Sequence, residues 1–289
     1  MKPRIYLTIA TILWGLNFHF AAFMLQEAHV IESASWRYIF GVLPLILLSS
    51  KSLRNMDIDK VPVKGILLVG IIGLFGFNIF FFLGMQYTSP VNAALIVSLN
   101  PMITIWLSAI ILKTKITKFN IIGAVLSLLG VCVLLSKGNL LNFMSLNFNK
   151  GDFLIMIGNT IFALHNVWVK KYRGSFSNFS FTTLTNLLCL LCFLFILPFS
   201  NYSLSIDHSS NYWLWSIGIG TFGTALAYLL WNEGISQIGA DKAGIFMNIV
   251  PLATAISALL MGESIYIYHF ISGVIIIGGI IISQKKLRK

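Results

Sequence analysis

Long apolar runs recur along the chain, and each ends in a short polar or basic segment. The runs are continuous rather than alternating, which predicts helices and not the roughly ten-residue alternating strands of a membrane barrel. A hydrocarbon core of about 30 Å is crossed by a helix of roughly 20 apolar residues. No water reaches backbone groups there, so each crossing must satisfy its own hydrogen bonds. On this basis the chain is expected to be an all-α polytopic membrane protein of ten transmembrane helices. They fall at 5–25, 33–49, 65–85, 90–112, 119–136, 152–170, 180–199, 212–234, 240–261 and 266–283. Pro90, Pro101, Pro198 and Pro251 mark ends or kinks of these runs.

Composition agrees with a lipid solvent. Of the 289 residues 57% are hydrophobic and 10% charged, where a soluble domain carries about 25% charged residues. The N-terminal run extends to about Leu25, longer than a signal-peptide core and without a small-residue cleavage pattern, so it is expected to stay as the first span. The net charge of +11 does not indicate nucleic acid, because the basic residues stand at the ends of apolar runs. With the N-terminus in the cytoplasm, alternation puts nearly all 20 lysines and arginines on the cytoplasmic side. Lys137 and Lys150 fall outside, and Arg37 lies within a span. That bias predicts two cytoplasmic termini in a bacterial inner (plasma) membrane. Cys132, Cys189 and Cys192 lie in apolar runs and are expected to pack, not to bind metal.

A shift of 150 residues superposes Gly70 on Gly220, Gly73 on Gly223, Gly84 on Gly234, Ala93 on Ala243, Pro101 on Pro251 and Gly123 on Gly273. Each half then holds five spans. An odd number of spans turns the second copy upside down relative to the first, the inverted-repeat plan of many secondary transporters.

Particular residues carry a family resemblance. Trp14-Gly15-Leu16-Asn17-Phe18 stands in the first span and Trp36-Arg37-Tyr38 in the second. Asn100-Pro101 is matched by Asn248 and Pro251, and Met261-Gly262-Glu263 closes the ninth span. In this ordered set the chain resembles the EamA-type transporters of the drug/metabolite transporter superfamily. It departs from them in Lys113, the counterpart of Glu263, and in Phe162-Ala163, where the family often has Trp-Ala. The resemblance implies a first five-helix repeat at 1–136, an outer linker at 137–151 and a second repeat at 152–289. It also implies a central cavity lined by spans 1, 3, 4, 6, 8 and 9, and export of amino acids and related metabolites.

Polar groups inside a span are costly unless they face a bundle interior or a wet cavity, so they form the list of candidates. Asn17 and His19 lie in the first span and His165 and Asn166 in the sixth. Aligning Trp14 with Phe162 sets Asn17 opposite His165, a pair suited to the two ends of a zwitterion, with interhelical hydrogen bonding as the alternative role. Asn78, Asn92, Ser98, Asn100 and Asn248 add neutral hydrogen-bonding groups, and Tyr228 and Trp231, with Phe77 and Phe81, supply apolar walls or packing. Arg37 is read as a gate or as a side chain snorkelling outward to pair with Glu32. Glu233, near Lys242, is read as a gate or interface residue, and Glu263 as a helix-end contact. Pro101 and Pro251 free carbonyls near Val97 and Met247 and are expected to form a symmetric hinge.

The expected function is secondary transport of small metabolites, most simply amino acids or related solutes exported by alternating access. A proton-coupled carrier of drugs or nucleoside-type metabolites is the alternative, with a channel or membrane-embedded enzyme more remote. The chain has no H-E-x-x-H, no G-x-S-x-G, no phosphate-cradling glycine loop and no paired carboxylates in one span. No catalytic residue, cofactor or metal is expected, and the partners are a small-molecule solute and the lipid bilayer, not nucleic acid. A sugar phosphate would require several cations in the cavity, and Arg37 is the one basic residue within a span.

Overall fold

A computed structural model describes residues 2–88, 90–139, 149–200, 202–260, 264 and 266–285. Among the described residues the regular structure is helical. The order is α1 Lys2–Met24, α2 Val30–Arg54, α3 Val63–Leu67, α4 Phe77–Met85, α5 Pro90–Val97, α6 Asn100–Ile111 and α7 Lys118–Leu135. It continues with α8 Lys150–Tyr172, α9 Asn178–Ile196, α10 Ser210–Gly218, α11 Ala227–Ile238, α12 Ala240–Gly244, α13 Ile249–Leu260 and α14 Ile267–Ser283. Among the described residues six helical stretches are long and apolar enough to cross a membrane: Val30–Arg54, Val63–Met85, Lys118–Leu135, Lys150–Tyr172, Asn178–Phe199 and Ser210–Ile238. Leu95–Ile111 and Ile267–Ser283 are shorter apolar helices. The protein is therefore an integral membrane protein.

The distribution of side chains is that of a chain dissolved in lipid. Leu47, Trp106, Ile110, Phe195, Val274 and Ile281 are exposed on their helices, where a soluble helix would show charge. Inside are Thr11, Asn78, Asn100, Ser127, Asn166, Thr185 and Asn232, all buried. Hydrophobic burial cannot hold helices together in lipid, so close packing over small residues and hydrogen bonds do the work.

The chain forms two compact units. The first comprises Met1–Gly76 and Trp168–Ser236, the second Phe77–Val167 and Gln237–Lys289. Each unit thus draws on both halves of the sequence. Within the first, Gly70 lies so close to α9 that an added Cβ would sit 2.9 Å from the Thr185 carbonyl oxygen. Gly220 does the same against α2, 2.8 Å from the Arg37 carbonyl oxygen. Within the second unit α7 and α14 touch through glycine, with a Cβ on Gly123 2.6 Å from the Gly279 carbonyl oxygen. Gly84 has room only for hydrogen against Ile155, as Gly234 has against Leu7.

Two local features recur at positions that the 150-residue shift superposes, the first to within a residue and the second to within three. Leu68–Gly76 joins α3 to α4, and Ile219–Leu226 joins α10 to α11, and both are π-helical. The other feature is a break. α5 ends at Val97 and α6 begins at Asn100, while a 3-10 turn over Ile245–Asn248 separates α12 from α13. Pro101 stands in the first turn of α6, where its missing N–H costs nothing. The expected kink at Pro101 is thus a break in the helix just before it. Gly-rich π turns and broken helices are both common where membrane carriers bind or move.

One end of the first unit is tied by a carboxylate. Glu27, in the connection between α1 and α2, accepts from Ser209 Oγ at 2.6 Å and from Ser209 N at 3.0 Å. Ser209 in turn caps α10 by accepting from Tyr212 N at 3.1 Å. These bonds favour the ionised carboxylate and hold Glu27 below the usual carboxylate range. The tie is therefore complete above that range and lost as the pH falls through the lowered value. The protection factors of the Ser209 and Tyr212 amides are expected to fall as the pH drops through that lowered value, and Glu27→Gln should raise exchange at neutral pH as well. Unchanged exchange in Glu27→Gln would show that the loop is held by other contacts.

Candidate functional site

The first unit gathers a polar and aromatic cluster around the π segment of Ile219–Leu226. Trp14 Nε1 donates to the Gly223 carbonyl at 2.9 Å. The Trp14 ring meets Tyr228 edge-on at 5.3 Å and lies 5.0 Å from Trp231. Asn17 is buried one turn further along α1, and its amide fills the space that a side chain on Gly223 would take. A π turn offsets the carbonyl ladder, and here that register presents Gly223 O to an indole on another helix. Arg37 Nε donates to Thr224 Oγ1 at 2.9 Å in the same segment.

Arg37 is half-buried and does not take the partner expected of it. Glu32 instead receives Ser205 N at 2.7 Å and sits 2.9 Å from His208 Nε2. The reason is helical: residues five apart differ by about 140° around the axis at 100° per residue, so Glu32 and Arg37 face different neighbours. Glu233 likewise pairs with Arg173 Nη1 at 3.4 Å, within its own unit. Arg173 also donates to Ser236 Oγ. These contacts knit helix ends together.

The second unit holds an amide network at the break between α5 and α6. Asn100 Nδ2 donates to Asn159 Oδ1 at 2.8 Å and to the Asn159 carbonyl at 3.1 Å. Asn159 Nδ2 donates to the Ile96 carbonyl at 2.7 Å. Thr104 Oγ1 donates to Asn100 Oδ1 at 3.1 Å, and Asn166 Nδ2 approaches the same oxygen at 3.4 Å. One of the carbonyls at the helix break is therefore satisfied by a neighbouring amide. Asn248 Nδ2 donates to Ser127 Oγ at 2.8 Å beside the second break. His165 is buried with its ring nearly parallel to Phe162 at 5.3 Å, and Phe162 lies 4.9 Å from Phe77.

The structure thus divides the candidates between the units. Asn17, Arg37, Tyr228, Trp231 and Glu233 belong to the first, and Asn78, Ser98, Asn100, Pro101, His165, Asn166, Asn248 and Pro251 to the second. Asn78 and Ser98 are buried, Pro251 is half-buried, and His19 is half-buried in the first unit. Glu263 and the side chain of Asn92 lie outside the described residues, as does most of the linker at 137–151. Sequence reading missed Asn159 and the indole of Trp14 as a donor. Asn159 stands seven residues before Asn166, two turns along one face of α8, a spacing that marks both as facing a common partner.

The EamA-like transporter family matches residues 1–136 and again 149–284. The chain belongs to the EamA-like transporter family. Among its relatives, uncharacterized transporter YyaM of Bacillus subtilis (strain 168) is 32% identical over 96% of this chain and 92% of that protein. Uncharacterized transporter YetK of the same strain is 26% identical, covering 100% of this chain and 88% of its own. An uncharacterized transporter of Archaeoglobus fulgidus is also 26% identical, over 99% and 100% of the two chains. A solved crystal structure matches with a TM-score of 0.82 at 17% identity, over 98% of each chain. At that identity the likeness speaks for the fold. As an EamA-type protein the chain is a membrane transporter of a small-molecule solute.

Proposed function

We propose that this transporter exports amino acids or closely related zwitterionic metabolites by alternating access, driven by the solute's own gradient. The observation that carries the reading is the neutrality of the candidate polar groups, since the buried carboxylates Glu32 and Asp152 stand in the first turns of α2 and α8. Amides, one hydroxyl and one imidazole are buried in the helices and at their breaks, namely Asn17, Ser98, Asn100, Asn159, His165, Asn166 and Asn248. Arg37 is engaged by Thr224. Such a set hydrogen-bonds a small polar solute without demanding net charge, and it offers no cluster of cations for a polyanion. The basic bias of the helix ends supports cytoplasmic termini in a bacterial plasma membrane.

Counterflow in proteoliposomes tests the reading. Vesicles loaded with a mixed amino-acid pool are expected to accumulate a labelled amino acid above protein-free liposomes. Asn17→Ala and His165→Ala should each lower that flux several-fold while the extracted protein stays monodisperse. Normal transport by both variants would remove these residues from the solute path. No uptake of any amino acid by folded, inserted protein would sink the substrate class.

His165 favours a second reading, because an imidazole is the ordinary carrier of a coupling proton near neutral pH. Under it the protein exchanges protons for a drug or nucleoside-type metabolite. A pH jump that drives uphill accumulation would establish exchange, and one that changes flux no more than solute charge predicts would leave the uncoupled carrier.

A further inference from the structure

We propose that the basic end of the first unit binds the phosphate headgroup of an anionic lipid. A cavity of about 700 Å³ opens there between the end of α2, the turn leading to α3, and the connection from α8 to α9. Lys51, Lys60 and Arg173 line it, with Asp57 as the lining carboxylate. Internal pairing removes part of this charge. Lys60 Nζ lies 2.7 Å from Asp57 Oδ2, and Arg173 faces Glu233 at 3.4 Å. Lys51 has no ion pair among the described residues and is exposed. One full positive charge, that of Lys51, therefore remains at the cavity after the internal pairs are counted, while Arg173 is held by Glu233 and Ser236.

The floor of the cavity is built of hydroxyls. Ser52 Oγ lies 2.6 Å from Ser177 Oγ and 2.7 Å from Ser180 Oγ. Ser177 is also the cap of α9, but its bond from Ser180 N is 3.5 Å long, at the limit of a hydrogen bond. The 19-residue helix α9 thus directs its positive end at the cavity with a weak cap. Hydroxyl rotors, a helix N-terminus and a spare ammonium form a receptor for phosphate oxygens.

The remaining walls select the source of that phosphate. Leu48 is 60% exposed and Phe179 is 44% exposed, both line the cavity, and Leu47 continues the surface at 75% exposed. A soluble phosphate ester uses the polar half of this site and leaves the apolar half bare. A phospholipid fills both, with its headgroup over Lys51 and its chains along Leu47, Leu48 and Phe179. Basic recesses between membrane helices are favourable sites for anionic headgroups.

Native mass spectrometry of the full chain tests the assignment, with phosphatidylglycerol and phosphatidylcholine of matched chains as probes. The wild type is expected to retain phosphatidylglycerol preferentially. Lys51→Gln with Lys60→Gln should cut that preference about tenfold, with wild-type thermal stability because both lysines are exposed. The control pair Lys113→Gln with Lys115→Gln, basic residues of another connection, should keep the preference. Equal retention of the two lipids, or an equal loss in the control pair, would overturn the site. Displacement of phosphatidylglycerol by millimolar inorganic phosphate would overturn the lipid assignment in favour of a soluble phosphate ester.

Discussion

Gly279→Ala is expected to destabilise the protein while Gly278→Ala, its immediate neighbour, leaves stability unchanged or slightly raised. Both residues lie in α14, so helix propensity favours alanine by up to about 1 kcal/mol at either position. Their surroundings decide the outcome. A Cβ on Gly278 meets nothing within 4 Å. A Cβ on Gly279 would sit 2.6 Å from Ser127 N and 2.7 Å from the Gly123 carbonyl oxygen. Those are backbone atoms of α7, so no flexible side chain can swing away and two packed helices must separate. Overpacking of this kind costs roughly 1–3 kcal/mol, sometimes more. That exceeds the propensity gain, and lipid offers no hydrophobic force to press the helices together again. Thermal unfolding followed by size-exclusion recovery should show Gly279→Ala well below wild type and Gly278→Ala at or above it. Equal behaviour of the two variants would mean that the α7–α14 contact is not as close as described.

The membrane class and the approximate positions of the helices were legible because lipid imposes them: apolar length and basic flanks are local properties. The broken helix at Asn100-Pro101 was partly legible, since proline forbids an N–H at that point and a disturbance must follow. The π segments were not. Gly70, Gly73, Gly220 and Gly223 announced close approach, but an i→i+5 register leaves no periodic mark in nine residues of uniformly apolar sequence. Partner choice was the least legible. Glu32 finds His208 across 176 positions of sequence, and nothing local encodes it. The expectation that it serves Arg37 fails on helix geometry alone, which the sequence did contain. Asn159 illustrates the intermediate case. An asparagine in an apolar run signals burial against a polar partner, and its two-turn spacing from Asn166 identifies the face. That the partner is Asn100 at a helix break depends on how α8 packs against the turn between α5 and α6.

Asn159→Ala is expected to lower stability by more than a single membrane hydrogen bond is worth, and to reduce transport with it. An interhelical side-chain bond in lipid averages about 0.6 kcal/mol and reaches about 1.7. Asn159 does three things at once: its Nδ2 serves the Ile96 carbonyl, its Oδ1 receives Asn100 Nδ2, and its backbone carbonyl receives the same amide. Truncation keeps the third contact and strips the first two. The Ile96 carbonyl sits at the break between α5 and α6, where Leu99 N reaches it at 3.1 Å but its second lone pair loses its partner. Two interhelical bonds are lost while each partner keeps one contact, so a loss of roughly 1–3 kcal/mol is expected. Thr160→Ala supplies the comparison, because Thr160 Oγ1 donates within its own helix to the Met156 carbonyl at 2.9 Å and crosses to no other helix. It should stay near wild type in unfolding and in counterflow. If the break between α5 and α6 is a moving part, Asn159→Ala should slow flux beyond what the lost folded fraction explains, measured per folded molecule. Flux that falls only with folded fraction would make the amide network a structural clamp and shift the search for moving parts to the π segments.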